Sequence, residues 1–228
     1  MRANPAELSI GVRAEAVAAF DARYGEMQRA LWCLSRRCRP DLVSGNSSVT
    51  VETLVWTLKS WWGVQGVRSE TRTLMAAALP LAVDWSPELF EEEFSAGADA
   101  QRFAVQAVSA LVERSVSLGV PRREYSLASK VLHWLLPWKV PVYDAFVRRY
   151  LGIPEWDHPE AYQRIVKDIF AMASEAAGDL SWAGSIDPVS PLQALDKCLW
   201  WLGGGDSDTA ARVRDPWRVI DRLGLERC

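Results

Sequence analysis

Hydrophobic residues recur at every third or fourth position along most of this chain. In the first such segment they are Phe20, Tyr24, Met27, Leu31 and Leu34, a spacing that places all five on one face of an α-helix. No segment alternates hydrophobic and polar residues with the two-residue period of a half-buried strand. The pattern therefore predicts an all-α fold of about ten helices.

Capping and stop signals divide this pattern into successive helices. The polar segment 39–48 is expected to end the first helix. Ser86, followed by a proline, is expected to cap a short helix that reaches Phe94. A long helix that begins near residue 98 is expected to stop at Gly119, since glycine is favoured just beyond a helix end.

Further signals follow towards the end of the chain. Asp157 is expected to cap one helix. Ser190 and Gln193 have the spacing of a capping box for the next helix, which should end at Gly203. A last helix or two are expected within 207–223.

Packing of so many helices suggests two lobes with a groove between them, which is a common place for a binding site. We expect residues 48–137 to form a central helical lobe. We expect residues 1–47 and 138–228 to form the second lobe, packed against the first.

The composition narrows the class of protein. The chain has 228 residues, of which 49% are hydrophobic, and this is enough to bury a sizeable core. Its formal net charge is -3. This balance argues against a protein whose whole surface grips nucleic acid, because phosphate binding depends on Lys and Arg, but it leaves room for a local basic patch.

Few side chains suit a soft metal ion. The full supply is four cysteines and two histidines: Cys33, Cys38, Cys198, Cys228, His133 and His158. No second pair lies close to Cys33 and Cys38, so we expect no metal site and no cofactor. The cysteines are expected to be free thiols in a reducing compartment. Without a signal peptide or a membrane span, the sequence predicts a cytoplasmic protein.

Tryptophan is unusually frequent, with twelve residues. Two interpretations remain open for those near predicted helix ends, among them Trp134, Trp138 and Trp200. They are either large anchors of the core or stacking surfaces for a flat ligand such as a nucleobase.

One stretch, "SLASKVLHWLLPWKVPVYDAFVRRYLG" at 126–152, carries candidate chemistry. Pro141 favours extended backbone at Val140, so the chain reaches Asp144 in an extended conformation. Asp144 then begins a short amphipathic helix that Gly152 closes, which is the position of an N-cap. Asp144 is therefore either a purely structural cap or a carboxylate held in a fixed place for chemistry.

The preceding helix contains Lys130 in its first turns. A solvated lysine is one interpretation. The other is an amine nucleophile, because a tight link with prolines can bring Lys130 and Asp144 to one groove. An amine beside a fixed carboxylate suits attack on an electrophilic sugar carbon, with the anion stabilising the positive charge that develops there.

This stretch resembles the signature segment of the helix-hairpin-helix DNA glycosylases, particularly their 8-oxoguanine glycosylase branch. "VPVYD" at 140–144 is similar to the family's loop, in which the catalytic aspartate caps the following helix. Lys130 lies at about the place of the family's nucleophilic lysine. The later "ALDKCLWWLGGG" looks like the C-terminal helix of bacterial proteins of this branch.

The resemblance implies two helical lobes flanking a groove and a DNA glycosylase that excises a damaged base, such as an oxidised purine, from duplex DNA. Lys130 would attack the sugar and form a Schiff base, which adds AP lyase activity, and Asp144 would stabilise the positive charge. Without that lysine, Asp144 would instead orient a water. Six further residues are implied to bind substrate or DNA: His133, Trp138, Tyr143, Arg148, Arg122 and Arg123.

Two alternatives remain beside this function. The segment "VPRREYSLASK" at 120–130 lacks the Gly-x-Gly whose amides hold a DNA phosphate in the family. Together with the acidic balance, this favours a glycosylase-fold protein that binds DNA or a nucleotide without excision. The other alternative is a helical interaction protein with no nucleic-acid role.

Overall fold

The computed structural model describes residues 8–46, 48–61, 69–153, 159–205 and 215–228. Within these ranges the protein is all-α, as predicted, and contains no strand. A 3-10 helix, Pro87–Phe90, lies between α3 and α4. The α-helices are α1 Ile10–Val43, α2 Val49–Trp61, α3 Ser69–Ala82, α4 Ala98–Ser117, α5 Tyr125–Leu135, α6 Ala145–Leu151, α7 Pro159–Ala176, α8 Pro191–Leu202 and α9 Arg218–Arg222.

Helix α1 has 34 residues, so it is about 51 Å long. It begins after Ser9, whose hydroxyl accepts a hydrogen bond from the Val12 amide. The helix continues through Pro40 to Val43, further into the polar segment than its composition suggests. A proline inside a helix costs about 3 kcal/mol. Burial of Leu42 on the core side of the last turn offsets that cost.

The short helix predicted after Ser86 is wrong in its extent. Only Pro87–Phe90 is helical, as a 3-10 turn, and the Ser86 side chain makes no capping hydrogen bond. Three glutamates in succession follow at 91–93. Negative charge is unfavourable at a helix C-terminus, and these residues offer no apolar face to bury, so the helix stops.

Other predicted boundaries are confirmed. Helix α4 ends just before Gly119, which has a φ of 111°. Ser190 caps α8 and accepts a hydrogen bond from the Gln193 amide at 3.0 Å. Asp157 and the segment 207–214 lie outside the described residues, so the predictions made for them are untested.

The buried hydrophobic side chains form one cluster that includes residues from Ala16 in α1 to Ile220 in α9. Helix α1 packs against α2, α5 and α8. A buried ion pair joins α8 to α1, with Lys197 Nζ 2.9 Å from Asp21 Oδ1. Where α8 ends, a Cβ on Gly203 would lie 2.2 Å from the Phe146 carbonyl oxygen, so only glycine allows α6 to approach this closely. The division into two lobes stays a prediction.

The prediction of four free thiols is wrong for two of them. Cys33 and Cys228 form a disulfide, with Cα atoms 5.4 Å apart. Close to the same part of α1, Trp217, just before α9, donates a hydrogen bond from Nε1 to Glu26 at 2.8 Å. The spacing of cysteines in the sequence carries no sign of this pairing.

The other two cysteines, Cys38 and Cys198, are free and buried. Burial raises the pKa of the Cys198 thiol to about 12. Across the described ranges, no helix combines the length and apolar character needed to cross a bilayer.

Candidate functional site

Helix α5 and the segment 140–144 are joined along their length by hydrogen bonds. The Tyr143 amide donates to Ser129 Oγ at 2.9 Å. One turn further along α5, His133 Nδ1 lies 2.6 Å from the Val140 carbonyl oxygen. The segment therefore runs back antiparallel to the helix, and this fixes where Asp144 arrives.

Lys130 and Asp144 meet next to the first of these contacts, each being the next residue along its own segment. Lys130 Nζ lies 2.8 Å from Asp144 Oδ2, and the two residues are only 7% and 6% exposed. Asp144 is also the predicted N-cap of α6, since its Oδ1 accepts the Phe146 amide hydrogen at 2.8 Å. Both carboxylate oxygens are thus held, one by a helix N-terminus and one by an ammonium group.

The pair opens on a cavity between α1, α5 and α8. Its volume is about 20 Å³, room for about one water molecule, at the base of a recess open to solvent. Five polar residues line it: Gln28, Lys130, Asp144, Gln193 and Asp196. Lys130 and Asp144 therefore face one space.

The walls of the cavity are aromatic. Trp134, Phe20 and Trp200 line it. The Trp200 ring is fixed edge-on against Phe20 at 5.3 Å, Tyr24 at 5.3 Å and Phe146 at 5.1 Å, measured between ring centroids. Such contacts hold a large ring in one orientation. Aromatic side chains of α1, α5 and α8 therefore flank the charged pair.

Two polar residues of the cavity were missed by sequence reasoning. Gln28 is 1% exposed, and neither its Oε1 nor its Nε2 has a hydrogen-bond partner among the described residues. Asp196 Oδ1 likewise has none. Buried polar atoms without a partner cost about 1–3 kcal/mol each, and native proteins contain few of them. A ligand that enters the cavity would supply the missing partners.

The site also changes the pKa of Asp196. Surrounding protein raises the pKa of Asp196 to about 7, and the negative charge of Asp144 adds to the rise. The positive charges of Lys130 and Lys197 act in the opposite direction. Asp196 keeps an intermediate surface exposure because it opens on the cavity, although packed atoms surround it.

His133, implied by the resemblance to bind substrate or DNA, lies inside the protein. It is 0% exposed, and the side-chain amide of Gln193 contacts Nε2 while Nδ1 faces the Val140 carbonyl oxygen. Burial lowers the pKa of His133, and its two hydrogen bonds oppose this shift. Its position suits holding α5, α8 and the 140–144 segment together. Gln193 reaches His133 instead of closing the predicted capping box.

Trp138 and Tyr143 are buried outside the cavity lining. Trp138 packs against Trp32 with ring centroids 5.9 Å apart. The Tyr143 ring meets Tyr162 edge-on at 6.1 Å, and the Arg148 guanidinium lies over Tyr143 at 4.9 Å from the ring centroid. These three predicted binding residues therefore pack against residues outside the cavity.

Arg122 and Arg123 lie in the exposed connection between α4 and α5. Arg122 Nε is 2.6 Å from Glu124, and Arg123 Nε is 2.8 Å from Glu113. Lys130 follows about 8 Å further along the axis of α5, measured from Tyr125. The two arginines therefore lie before the first turn of α5, and neither lines the cavity.

Within the described part of the chain, no group of three or more His, Cys, Asp or Glu side chains is placed to hold a metal ion. Comparisons with protein-family models, with curated proteins and with solved structures found no match to this chain. The function proposed below therefore rests on the geometry of the cavity and on the resemblance of segment 126–152.

Proposed function

We propose that this protein is a DNA glycosylase with a helix-hairpin-helix-like, two-lobed fold, which excises a damaged base from duplex DNA. The observation that carries the proposal is the buried Lys130–Asp144 pair, 2.8 Å apart and open on an aromatic cavity. Lysine rarely occupies a buried position without a specific partner or task. The signature segment 126–152 supplies the class of reaction.

Lys130 acts as the nucleophile in this proposal. Its neutral amine attacks C1′ of the sugar that carries the damaged base, and the resulting Schiff base permits strand cleavage. Asp144 stabilises the positive charge that develops on the sugar. The N-cap bond to Phe146 holds the carboxylate in place before substrate arrives, so no reorganisation is needed at the moment of reaction.

The damaged base enters the cavity after it flips out of the duplex. Phe20, Trp134 and Trp200 offer flat faces for it, while Gln28 and Asp196 supply hydrogen-bonding groups for its edge. Because the cavity is narrow, entry of a base requires these rings to move apart. Arg122 and Arg123 contact DNA phosphates beside the groove, exchanging their glutamate partners for the backbone.

Borohydride trapping tests the proposal. Duplexes that carry a panel of oxidised or alkylated bases are incubated with the protein and reduced, and covalent adducts are resolved by mass. Wild type is expected to form an adduct on at least one lesion. Lys130→Gln should abolish it, whereas Lys139→Gln, a control nearby on the same segment, should keep it.

The absence of both adduct and base release on every lesion, with the wild-type protein folded, would refute the proposal. An adduct that persists in Lys130→Gln would assign the nucleophile to another residue. Base release without any adduct would favour the monofunctional reaction, with water oriented by Asp144.

A second candidate function is DNA or nucleotide binding without excision. The narrow cavity and the close pairing of Lys130 with Asp144 favour it, since the ammonium is already occupied. A gel-shift titration on undamaged and lesion-containing duplexes at several salt concentrations separates the two functions. Salt-sensitive binding without base release indicates a binder. Neither binding nor excision would indicate a helical interaction protein.

A further inference from the structure

The cavity contains a second carboxyl group besides Asp144, and the reaction described above gives it no chemical step. Asp196 lies on α8, opposite the Lys130–Asp144 pair, and its Oδ1 has no hydrogen-bond partner among the described residues. The two carboxyl groups thus share one space but differ in surroundings.

Asp144 is poorly suited to give a proton. One of its oxygens accepts the Phe146 amide hydrogen and the other accepts from the Lys130 ammonium. Both of its oxygens are therefore already occupied as hydrogen-bond acceptors. The departing base, however, leaves with an electron pair and must gain a proton, as in other reactions at a sugar carbon.

We propose that Asp196 is the general acid of the reaction, a catalytic residue that gives its proton to the base as the base leaves. This inference rests on the proposed glycosylase function. The Lys130 ammonium first releases one proton to solvent. Its neutral amine then forms a C1′–N bond while the glycosidic C1′–N bond breaks, and the electron pair of that bond stays with the base. The proton of the Asp196 carboxyl group moves to this base, and Asp196 becomes a carboxylate that solvent reprotonates after product release.

The surroundings of Asp196 support this role. Burial and the charge of Asp144 raise the pKa of Asp196 to about 7, while Lys130 and Lys197 limit the rise. At neutral pH a large share of the molecules therefore has a protonated Asp196 beside an engaged Asp144. Two carboxyl groups with different environments in one site are typical of an acid paired with a charge-stabilising partner.

The test compares two reactions of the same protein. The first is single-turnover base release from a lesion-containing duplex, measured from pH 5.5 to 9. The second is Schiff-base trapping on DNA with an abasic site, which has no base to protonate. Asp196→Asn is expected to slow base release roughly 100-fold or more, since it keeps the shape but cannot transfer a proton. Trapping on abasic DNA should remain within about twofold of wild type, because this DNA has no base to protonate. A factor of two corresponds to well under 1 kcal/mol.

The pH profile gives a second readout. Wild-type base release should fall above pH of about 7, as Asp196 loses its proton. Asp196→Asn should lack this fall, and Asp196→Glu should restore part of the rate. Glu175→Gln, an exposed substitution on α7, is the control and should behave as wild type in both reactions.

Different results would overturn the inference in distinguishable ways. Equal base release by wild type and Asp196→Asn would reject the acid role while the proposed function stands. Loss of both base release and abasic-site trapping in a folded Asp196→Asn would show that Asp196 supports the site as a whole. Wild type without activity on either DNA would reject the glycosylase proposal and this inference together.

Discussion

Removing one charge of the Lys130–Asp144 pair should destabilise the protein more than removing both. Asp144→Asn keeps an oxygen that can cap α6, so the bond from the Phe146 amide survives. It leaves the Lys130 ammonium, with a side chain 9% exposed, without its ion-pair partner at 2.8 Å. Breaking a buried pair in this way costs about 3–5 kcal/mol, and the lower end applies here because Asp196 is a nearby carboxyl group that can ionise and face the ammonium.

Lys130→Met combined with Asp144→Asn removes both charges and leaves an apolar chain in the same space. We expect this double variant to be more stable than Asp144→Asn alone, with a coupling energy of about 2–3 kcal/mol. Asp144→Ala should cost about 1 kcal/mol more than Asp144→Asn, because it also loses the cap.

Urea denaturation at pH 7 measures these differences. With an m-value of about 2 kcal/mol/M, a loss of 3 kcal/mol lowers the midpoint by about 1.5 M. The exposed Arg123–Glu113 pair, at 2.8 Å, is the control and should show a coupling energy below about 1 kcal/mol. The reasoning fails if Asp144→Asn stays within 1 kcal/mol of wild type or if the two pairs show equal coupling.

Three further substitutions test the surroundings of the pair. Between pH 3.8 and about 7 the unfolded chain releases the Asp196 proton while the folded protein keeps it, so wild-type stability should fall as pH rises through this window. At pH 8, Asp196→Asn should therefore be more stable than wild type by about 2–4 kcal/mol, where the lower figure allows for partial exposure. Melting curves of the two proteins at pH 8 measure this difference. Burial lowers the pKa of His133. Below pH of about 6.5, His133 therefore binds a proton in the unfolded chain but stays neutral in the folded protein. His133→Gln should reduce the loss of stability on acidification, and an unchanged pH dependence would contradict this. Gln28→Leu removes two unpartnered buried atoms, so it should leave the melting temperature equal or higher while it weakens base release. A marked loss of stability would mean that Gln28 is satisfied within the protein.

The geometry of Asp144 was accessible from the sequence because its causes are local. Pro141 makes the approach extended, the carboxylate caps the next turn, and Gly152 ends α6 with a φ of 69°. The link between α5 and α6 is short, so Lys130 could not lie far from Asp144. The pairing itself then depended on which face of α5 the segment would follow.

Gln28 and Asp196 could not be assigned to the site in this way, because they lie on two helices far apart in the sequence. A signal was nevertheless present. Gln28 lies on the apolar face of α1, four residues after Tyr24, and Asp196 lies four residues before Trp200 in α8, a helix whose other residues from Pro191 to Trp200 are buried. A polar residue within an apolar stripe indicates a buried polar group, but only the packing of α1 against α8 shows what it faces.

The disulfide and the length of α1 were missed for a related reason. Cys33 and Cys228 are separated by 195 positions, and their contact depends on how the chain end docks. Helix α1 continues past Pro40, and burial of Leu42 in the core stabilises its last turn. This is a tertiary effect, which the helix-breaking tendency of a proline in the sequence does not include.

The position of α8 over the cavity also has a consequence for folding. Helix α5 and the 140–144 segment are neighbours in sequence, so they form an early, low-separation contact, whereas α1 and α8 meet only after a long loop closes. The Lys130–Asp144 pair can thus assemble before the pocket around it exists. Local detachment of α8 would remove one wall of the cavity and Asp196, so ligand binding should be lost at lower denaturant concentration than the structure of α5.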